Sequence, residues 1–216
     1  MKLKGVITGD IVQSSKIEPT RRQLLIDCIQ KIADEAGKWG KIKVEIFRGD
    51  SFQAVIDDVE QSLKIAILFR AGLQGFTPEK EFTKWDARIA LGIGSIDFYQ
   101  DHSVVESDGE AFRNSGREFD RLEKSDRLAL KTPWDDLNDE FKISTAFADN
   151  VISGWTVMQA RVIYEALLSG ESQKKIAQLL NKSQQAVSKL ANGGRLRLIE
   201  LYLERFQQQV INQIKN

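Results

Sequence analysis

The chain contains one cysteine and one histidine among its 216 residues, and both scarcities narrow the possible protein classes. A single cysteine, Cys28, cannot build a disulfide framework, which argues against a small secreted scaffold. His102 is the only histidine and lies in a polar stretch, so a His/Cys zinc site and a Ser-His triad are both disfavoured. No apolar run approaches the length of a membrane span, and the N-terminal residues lack a signal-peptide core. We therefore expect a cytoplasmic protein.

The chain also lacks a net charge, because Lys plus Arg and Asp plus Glu each number 31. This balance hides an asymmetry. Residues 151–216 carry nine basic and four acidic side chains, so residues 1–150 carry the opposite excess. A basic C-terminal segment on a neutral protein points to a nucleic-acid partner. The alternative is a solvated surface that happens to be basic.

Apolar periodicity orders the first half of the chain as strand, helix, strand, strand, helix, strand. The strands are predicted at 2–8, 42–47, 51–56 and 86–99, and the helices at 20–39 and 59–74. A helix at 109–125, a strand at 127–132 and a helix at 135–153 follow. The order βαββαβ is that of the ferredoxin-like fold, in which an antiparallel sheet carries two helices on one face. The sequence therefore predicts an α+β class for residues 1–150.

Two Gly-Asp pairs follow the apolar residues of predicted strands, at Gly9-Asp10 and at Gly49-Asp50. The first and third strands of a ferredoxin-like sheet lie side by side and antiparallel, so Asp10 and Asp50 should meet at one edge. Two adjacent carboxylates repel, and a divalent cation such as Mg²⁺ or Mn²⁺ would relieve the repulsion. The alternative is that each aspartate bonds to the backbone of its own turn.

Four segments resemble the palm-type core of class III nucleotidyl cyclases: ITGDIVQSS, FRGDSFQAVI, ARIALGIGSI and GEAFRNSGR. The second segment is also similar to the Gly-Gly-Asp-Glu-Phe signature of diguanylate cyclases. The chain as a whole resembles the SatD-like bacterial family, which joins a cyclase-like domain to a small helical segment.

The resemblance implies a nucleoside triphosphate or other nucleotide ligand and a set of site residues. Asp10 and Asp50 would hold the metal. Residues beside them or in the predicted helix at 109–125 would contact the cofactor: Ile11, Arg48, Gly49, Arg113 and Asn114. Arg117 would stabilise phosphate charge and, in an active enzyme, would be catalytic together with Asp10 and Asp50.

The sequence departs from the cyclase pattern at three places. Ile46 stands where cyclases often carry a base-selecting Lys, and Ser51 stands where diguanylate cyclases have Glu. The expected Asn of the helix is displaced by one residue, to Asn114, with Arg113 in its place. The metal pair is kept while the purine-selecting residues are not, which favours nucleotide or metal binding over cyclisation.

Residues 156–194 have the pattern of a helix-turn-helix, similar to the tri-helical motif of sigma-factor region 4. Gly170 would stop the first helix, and Ser172 and Ser183 would cap the next two. The last helix of the motif would read bases through outward polar residues: Ser183, Gln184, Gln185, Ser188 and Lys189. Basic residues would meet phosphates of double-stranded DNA: Lys174, Lys175, Lys182, Arg195 and Arg197. The alternative is a helical bundle that packs on the first domain.

The final predicted helix is too long for a tri-helical unit alone, so we expect either a homodimer through it or packing along its own chain. The division into domains is predicted at 1–150 and 151–216. Three functions remain open at this point. They are a DNA-binding regulator with a nucleotide-binding cyclase-like domain, a nucleotidyl cyclase or nucleotidyltransferase, and an interaction scaffold with neither activity.

Overall fold

A computed structural model describes residues 3–47, 49–79, 81, 83–100 and 103–215. Arg48 and His102, both named above, lie outside these described residues. None of the helices in the described part combines the length and the hydropathy needed to cross a membrane.

Five strands form the main sheet in the order β2-β3-β1-β4-β7. They are β1 (Lys4–Ile11), β2 (Ile42–Phe47), β3 (Ser51–Ile56), β4 (Ala87–Gly94) and β7 (Leu128–Lys131). The first four are antiparallel neighbours, and β7 adds to β4 in parallel. Helix α1 (Arg22–Ala36) joins β1 to β2, and α2 (Ser62–Gly75) joins β3 to β4. The predicted ferredoxin-like order is therefore confirmed.

Alternation along the strands gives the sheet two different faces. One face packs with α1 and α2 in the main hydrophobic core, where Ile7, Phe52 and Ile56 are almost fully buried. The other face is covered in part by α3 (Glu110–Arg121), whose Phe112 packs with Val6. The face is polar further along the same strands, and it is there that Asp10 lies.

The fourth predicted strand is shorter than expected and ends at Gly94. Its next residue, Ser95, bonds instead to the start of α3: the Ser95 amide donates to Glu110 Oε2, and the Ala111 amide donates to the Ser95 carbonyl. The chain then forms a separate two-stranded sheet from β5 (Phe98–Gln100) and β6 (Ser103–Asp108). Helix α3 begins where β4 has lost its ladder partners.

Five helices complete the chain: α4 (Asp135–Ser153), α5 (Val157–Ser169), α6 (Gln173–Leu179), α7 (Gln184–Gly193) and α8 (Leu196–Lys215). The three predicted helix signals are confirmed. Gly170 ends α5 in the left-handed region at φ 65°, and the Ser172 and Ser183 side chains cap α6 and α7. Helices α5, α6 and α7 share a small core of their own: Val162, Ile176, Ala177, Val187 and Ala191.

The helical segment also belongs to the main core. Ile163 and Tyr164 of α5 and Phe206 of α8 lie in the same buried cluster as the sheet residues. The predicted division between residues 150 and 151 falls inside α4. Helix α5 is thus held against the sheet domain by shared apolar burial, which argues against a loosely tethered C-terminal module.

Helix α8 packs along its own chain. Tyr202 shares a hydrogen bond of 2.7 Å with Thr145 of α4, and Phe206 contacts Phe141 edge to face. Of the apolar residues that suggested a dimer through this helix, half are buried in the main core, namely Tyr202, Phe206 and Val210, and half are exposed, namely Leu198, Leu201 and Ile214.

Candidate functional site

The antiparallel register of β1 and β3 brings the two aspartates together. Asp10 is the Cα partner of Ser51, the residue that follows Asp50. The Ile11 amide donates to the Asp50 carbonyl oxygen across 2.9 Å, so the ladder continues into the turn. Both carboxylates are half-buried.

Each carboxylate uses one oxygen within the site. Ser51 Oγ donates to Asp10 Oδ1 at 2.9 Å, and Ser14 Oγ donates to Asp50 Oδ2 at 2.7 Å. In the part of the chain that the structure describes, no hydrogen bond reaches the second oxygen of either aspartate. Neither aspartate bonds to the backbone of its own turn there, which was the alternative interpretation of the two Gly-Asp pairs.

Burial raises the pKa of Asp10 above its usual value, and the charge of Asp50 raises it as well. The hydrogen bond from Ser51 and the charge of Arg88 act in the opposite direction but do not cancel the increase. Because the charge of Asp50 raises the pKa of Asp10, the two ionised carboxylates repel each other. A cation placed between them would remove this repulsion.

Glycine is required before each of the two aspartates for a different physical reason. Gly9 lies within β1 opposite Phe52, and a Cβ there would come within 2.4 Å of the Phe52 ring. Gly49 has φ +80° in the turn between β2 and β3, a conformation that favours glycine. Gly9 therefore makes room for an aromatic ring in the core, while Gly49 allows the turn that carries Asp50.

Sequence reasoning missed Arg88, which is the Cα partner of Asp10 on β4. Its Nη2 donates to the Leu122 carbonyl at 2.8 Å, and its guanidinium lies 5.2 Å from the centre of the Phe119 ring. Its Nε is buried without a hydrogen bond among the described residues. Arg88 therefore has an unused hydrogen-bond donor beside two carboxylates. Such a donor can bind an anion, for example a phosphate, that enters the site coordinated to a cation. Only the strand register reveals this neighbour.

The residues predicted on α3 occupy different surroundings. Asn114 donates to the Ile93 carbonyl at 2.8 Å and so fastens α3 to β4. Arg113 is exposed and pairs with Asp97 and Asp108, each at 3.1 Å. Arg117 is exposed and has no ion pair within the described residues.

The other predicted ligand contacts lie nearer the aspartates. The Ile11 side chain is only 1% exposed and belongs to the core, so Ile11 can offer the site its backbone alone. Gly49 is in the turn next to Asp50, and Arg48 is outside the described residues.

The donor set fits a hard divalent cation that brings further ligands with it. Among the described residues, no group of three or more His, Cys, Asp or Glu side chains is arranged to hold a metal ion. Mg²⁺ typically binds one or two protein carboxylates and completes its shell with water and substrate phosphates. Asp10 and Asp50 match that requirement as a pair, and they do not form a complete protein cage.

The predicted DNA-contacting side chains lie on the surface of α6, α7 and the turns around them. Nine are exposed: Lys174, Lys175, Lys182, Ser183, Gln184, Gln185, Lys189, Arg195 and Arg197. Ser188 is half-buried, and the Ser183 hydroxyl accepts a hydrogen bond from the Ala186 amide. That bond leaves Ser183 less free to read a base.

Two of the basic side chains are partly neutralised within the chain. Lys175 pairs with Glu171 at 2.8 Å, and Arg197 pairs with Glu204 at 3.2 Å. Lys174, Lys182, Lys189 and Arg195 have no ion pair among the described residues, so they are the better candidates for phosphate contacts.

No protein-family model matches the sequence, and no curated protein is significantly similar to it. Among solved structures, the chain is similar to an adenylate/guanylate cyclase/hydrolase from Silicibacter pomeroyi. The identity is 22%, the TM-score is 0.43, and 56% of this chain and 70% of that chain are covered. It is also similar to a bacterial light-regulated adenylyl cyclase, at 14% identity and a TM-score of 0.39, with 59% and 74% covered. Both similarities are remote, and the contacts of this chain carry the functional conclusions.

Proposed function

We propose that the protein is a DNA-binding regulator whose sheet domain binds a nucleotide through a divalent cation at Asp10 and Asp50. The observation that carries the proposal is the β1–β3 register, which unites two half-buried carboxylates from distant parts of the chain. Each retains an oxygen without a hydrogen bond among the described residues, and burial with mutual repulsion makes ionised Asp10 unfavourable. A cation carrying phosphate ligands relieves this cost.

The phosphates of the nucleotide would lie near Arg88, because its guanidinium faces the same end of the sheet as Asp10. A phosphate oxygen would supply the acceptor that its buried Nε lacks. Asn114 supports this arrangement from a distance, because its bond to the Ile93 carbonyl holds α3 against β4, the strand that carries Arg88. Arg117, which is exposed and unpaired in the described chain, would meet a ligand only at the rim.

DNA binding is supported by the helical segment. Its middle helices are joined by a short turn, both are capped by serine, and α7 presents Gln184, Gln185 and Lys189 outward. Glutamine can pair with adenine in the major groove, while lysine and arginine meet phosphates. The fixed packing of α5 on the sheet domain gives this surface one orientation relative to the nucleotide site.

Isothermal titration calorimetry with each nucleoside triphosphate, in Mn²⁺ and in EDTA, tests the nucleotide site. We expect cation-dependent binding that weakens at least about tenfold in Asp10→Asn and Asp50→Asn, because each variant removes a ligand charge. Asp139→Asn is the matched control, since Asp139 is an exposed acid on α4. Absence of cation-dependent binding to every nucleotide would contradict the proposal.

The same samples distinguish the regulator from an enzyme. Pyrophosphate released from a nucleoside triphosphate by the wild type, but not by Asp50→Asn, would identify a nucleotidyl cyclase or nucleotidyltransferase. Ile46 at the base-selecting position and the displacement of Asn114 lead us to expect binding without release.

A further inference from the structure

Two apolar stripes remain uncovered on the outer sides of α4 and α8. Ile143 and Phe147 of α4 are 67% and 71% exposed, and Leu198 and Leu201 of α8 are 56% and 45% exposed. Exposed apolar residues scattered singly need no explanation, but a contiguous group indicates an interaction surface.

The helix pairing makes these four residues one patch. Tyr202 meets Thr145 and Phe206 meets Phe141, so α4 and α8 run antiparallel. Ile143 and Phe147 lie three and seven residues beyond Glu140, on the same side of α4. Leu201 and Leu198 lie four and seven residues before Arg205, on one side of α8.

A cross-helix ion pair joins the two stripes. Arg205 Nε lies 2.6 Å from Glu140 Oε1, which places both residues on the same outer flank of the helix pair. In the antiparallel arrangement, the turn of Leu201 then lies beside that of Ile143, and Leu198 lies near Phe147. The four apolar side chains and this ion pair define what we call the outer patch.

We infer that the outer patch is the contact surface for a second copy of this chain, which would form a four-helix layer around a twofold axis. Two antiparallel helices expose one apolar side each, and a symmetric copy covers both sides at once. The outer face of α4 and α8 measures roughly 28 by 20 Å from helix rise and diameter. A twofold contact would bury about 1,000 Å² in total, near the minimum for a specific interface.

The charges around the outer patch favour a copy of the same chain over a strongly charged partner. Exposed acids and bases are nearly balanced on these two helices, five against four: Asp135, Asp136, Asp139, Glu140, Glu204, Lys142, Arg197, Arg205 and Lys215. A neutral, mixed surface lets both signs meet their opposites across a twofold axis, whereas nucleic acid requires a basic excess. Each copy would bring its own helix-turn-helix unit, so the dimer would carry two. The unit would lie close to the contact surface in sequence, because α4 ends only a few residues before α5 begins.

Sedimentation equilibrium of the full chain, at concentrations up to about 100 µM, tests the inference. We expect the wild type to dimerise, and Phe147→Glu and Leu201→Glu each to weaken dimerisation at least tenfold, because each places two charges in an apolar contact. Leu24→Glu is the matched control: Leu24 is 48% exposed on α1, away from the outer patch, so this variant should dimerise as the wild type does.

Circular dichroism checks that these variants remain folded, which we expect because the three substituted side chains are exposed. The two patch variants lie on different helices, so each is an independent test of the same surface. A monomeric wild type would overturn the inference. So would a dimer that neither patch variant weakens, or one that Leu24→Glu weakens equally. The measurement needs neither nucleotide nor DNA, so its result is separate from the proposed function.

Discussion

Arg70 Nη1 donates to Asp149 Oδ1 across 2.6 Å, and the Arg70 side chain is fully buried. Arg70 lies on α2 and Asp149 on α4, so this contact links the sheet domain to the helix that precedes α5. The Arg70 guanidinium also binds both oxygens of Asp86, at 3.0 and 2.9 Å. Burial opposes ionisation of Asp86, but Arg70 and Arg127 outweigh it and hold the Asp86 pKa below its usual value.

This buried network should be costly to interrupt. Asp149→Ala would leave the Arg70 charge partly unpaired and would remove the acceptor for the Arg127 and Leu128 amides. We expect the free energy of unfolding to fall by about 3–5 kcal/mol, the range for breaking one side of a buried ion pair. Urea unfolding followed by circular dichroism measures the change. Asp139→Ala, on the exposed side of the same helix, should stay within about 0.5 kcal/mol of the wild type. Equal effects in the two variants would contradict the assignment.

The order of strands and the meeting of the two aspartates were predictable from the sequence. Strand periodicity gave the βαββαβ order, and that order alone places β1 beside β3, so Asp10 and Asp50 met as expected. The serine caps at Ser172 and Ser183 were predictable for a similar reason, since a cap depends on residues only a few positions away.

Contacts that depend on register or on long-range packing were not predictable. Arg88 becomes a neighbour of Asp10 only when the β1–β4 pairing is fixed. Arg70 looked like any helical arginine, although the helix around it is apolar on every side. A helix of that kind is buried all round, which was an available sign that Arg70 needed a buried partner. The covering of Tyr202 and Phe206 by α4 likewise depends on tertiary packing that no local pattern encodes.

Asp10→Asn should raise stability while it removes the cation site. In the folded chain, burial and Asp50 raise the Asp10 pKa, so the ionised carboxylate destabilises the native state above that pKa. The penalty is present at neutral pH and disappears as pH falls through the raised value. We therefore expect a higher unfolding midpoint for Asp10→Asn at pH 7, with the difference from wild type shrinking as the pH is lowered.

Mn²⁺ provides the second half of the same test. It should raise the free energy of unfolding of the wild type by mass action, by about 2.7 kcal/mol at one hundred times the dissociation constant. It should leave Asp10→Asn nearly unchanged. A variant less stable than wild type at pH 7, or one still stabilised by Mn²⁺, would contradict this description of the site.

Gly9→Ala should destabilise the strand that carries Asp10. The added Cβ would come within 2.4 Å of the Phe52 ring, which is fully buried and cannot move aside freely. Overpacking of this kind typically costs about 1–3 kcal/mol. Gly37→Ala is the control, because a Cβ there meets nothing within 4 Å and its φ of −57° suits alanine. Equal changes of the unfolding midpoint in the two variants would show that the Phe52 ring is not the reason for glycine at position 9.

Lys189→Ala should weaken DNA binding in a way that depends on salt. Lys189 is exposed on α7 and has no ion pair within the described residues, so its charge is available to a phosphate. Each phosphate contact contributes close to one unit to the slope of log affinity against log salt. We expect Lys189→Ala to lower affinity for duplex DNA and to reduce that slope by about one. Fluorescence anisotropy at several salt concentrations measures both quantities.

Lys142→Ala is the matched control for the DNA measurement. Lys142 is also an exposed lysine, but it lies on α4 and not on α6 or α7. Loss of the same charge there should leave the slope unchanged, because net charge alone does not place a lysine against a phosphate. A slope that falls equally in the two variants would indicate a diffuse electrostatic attraction. No measurable DNA binding by the wild type at low salt would remove DNA from the proposed function.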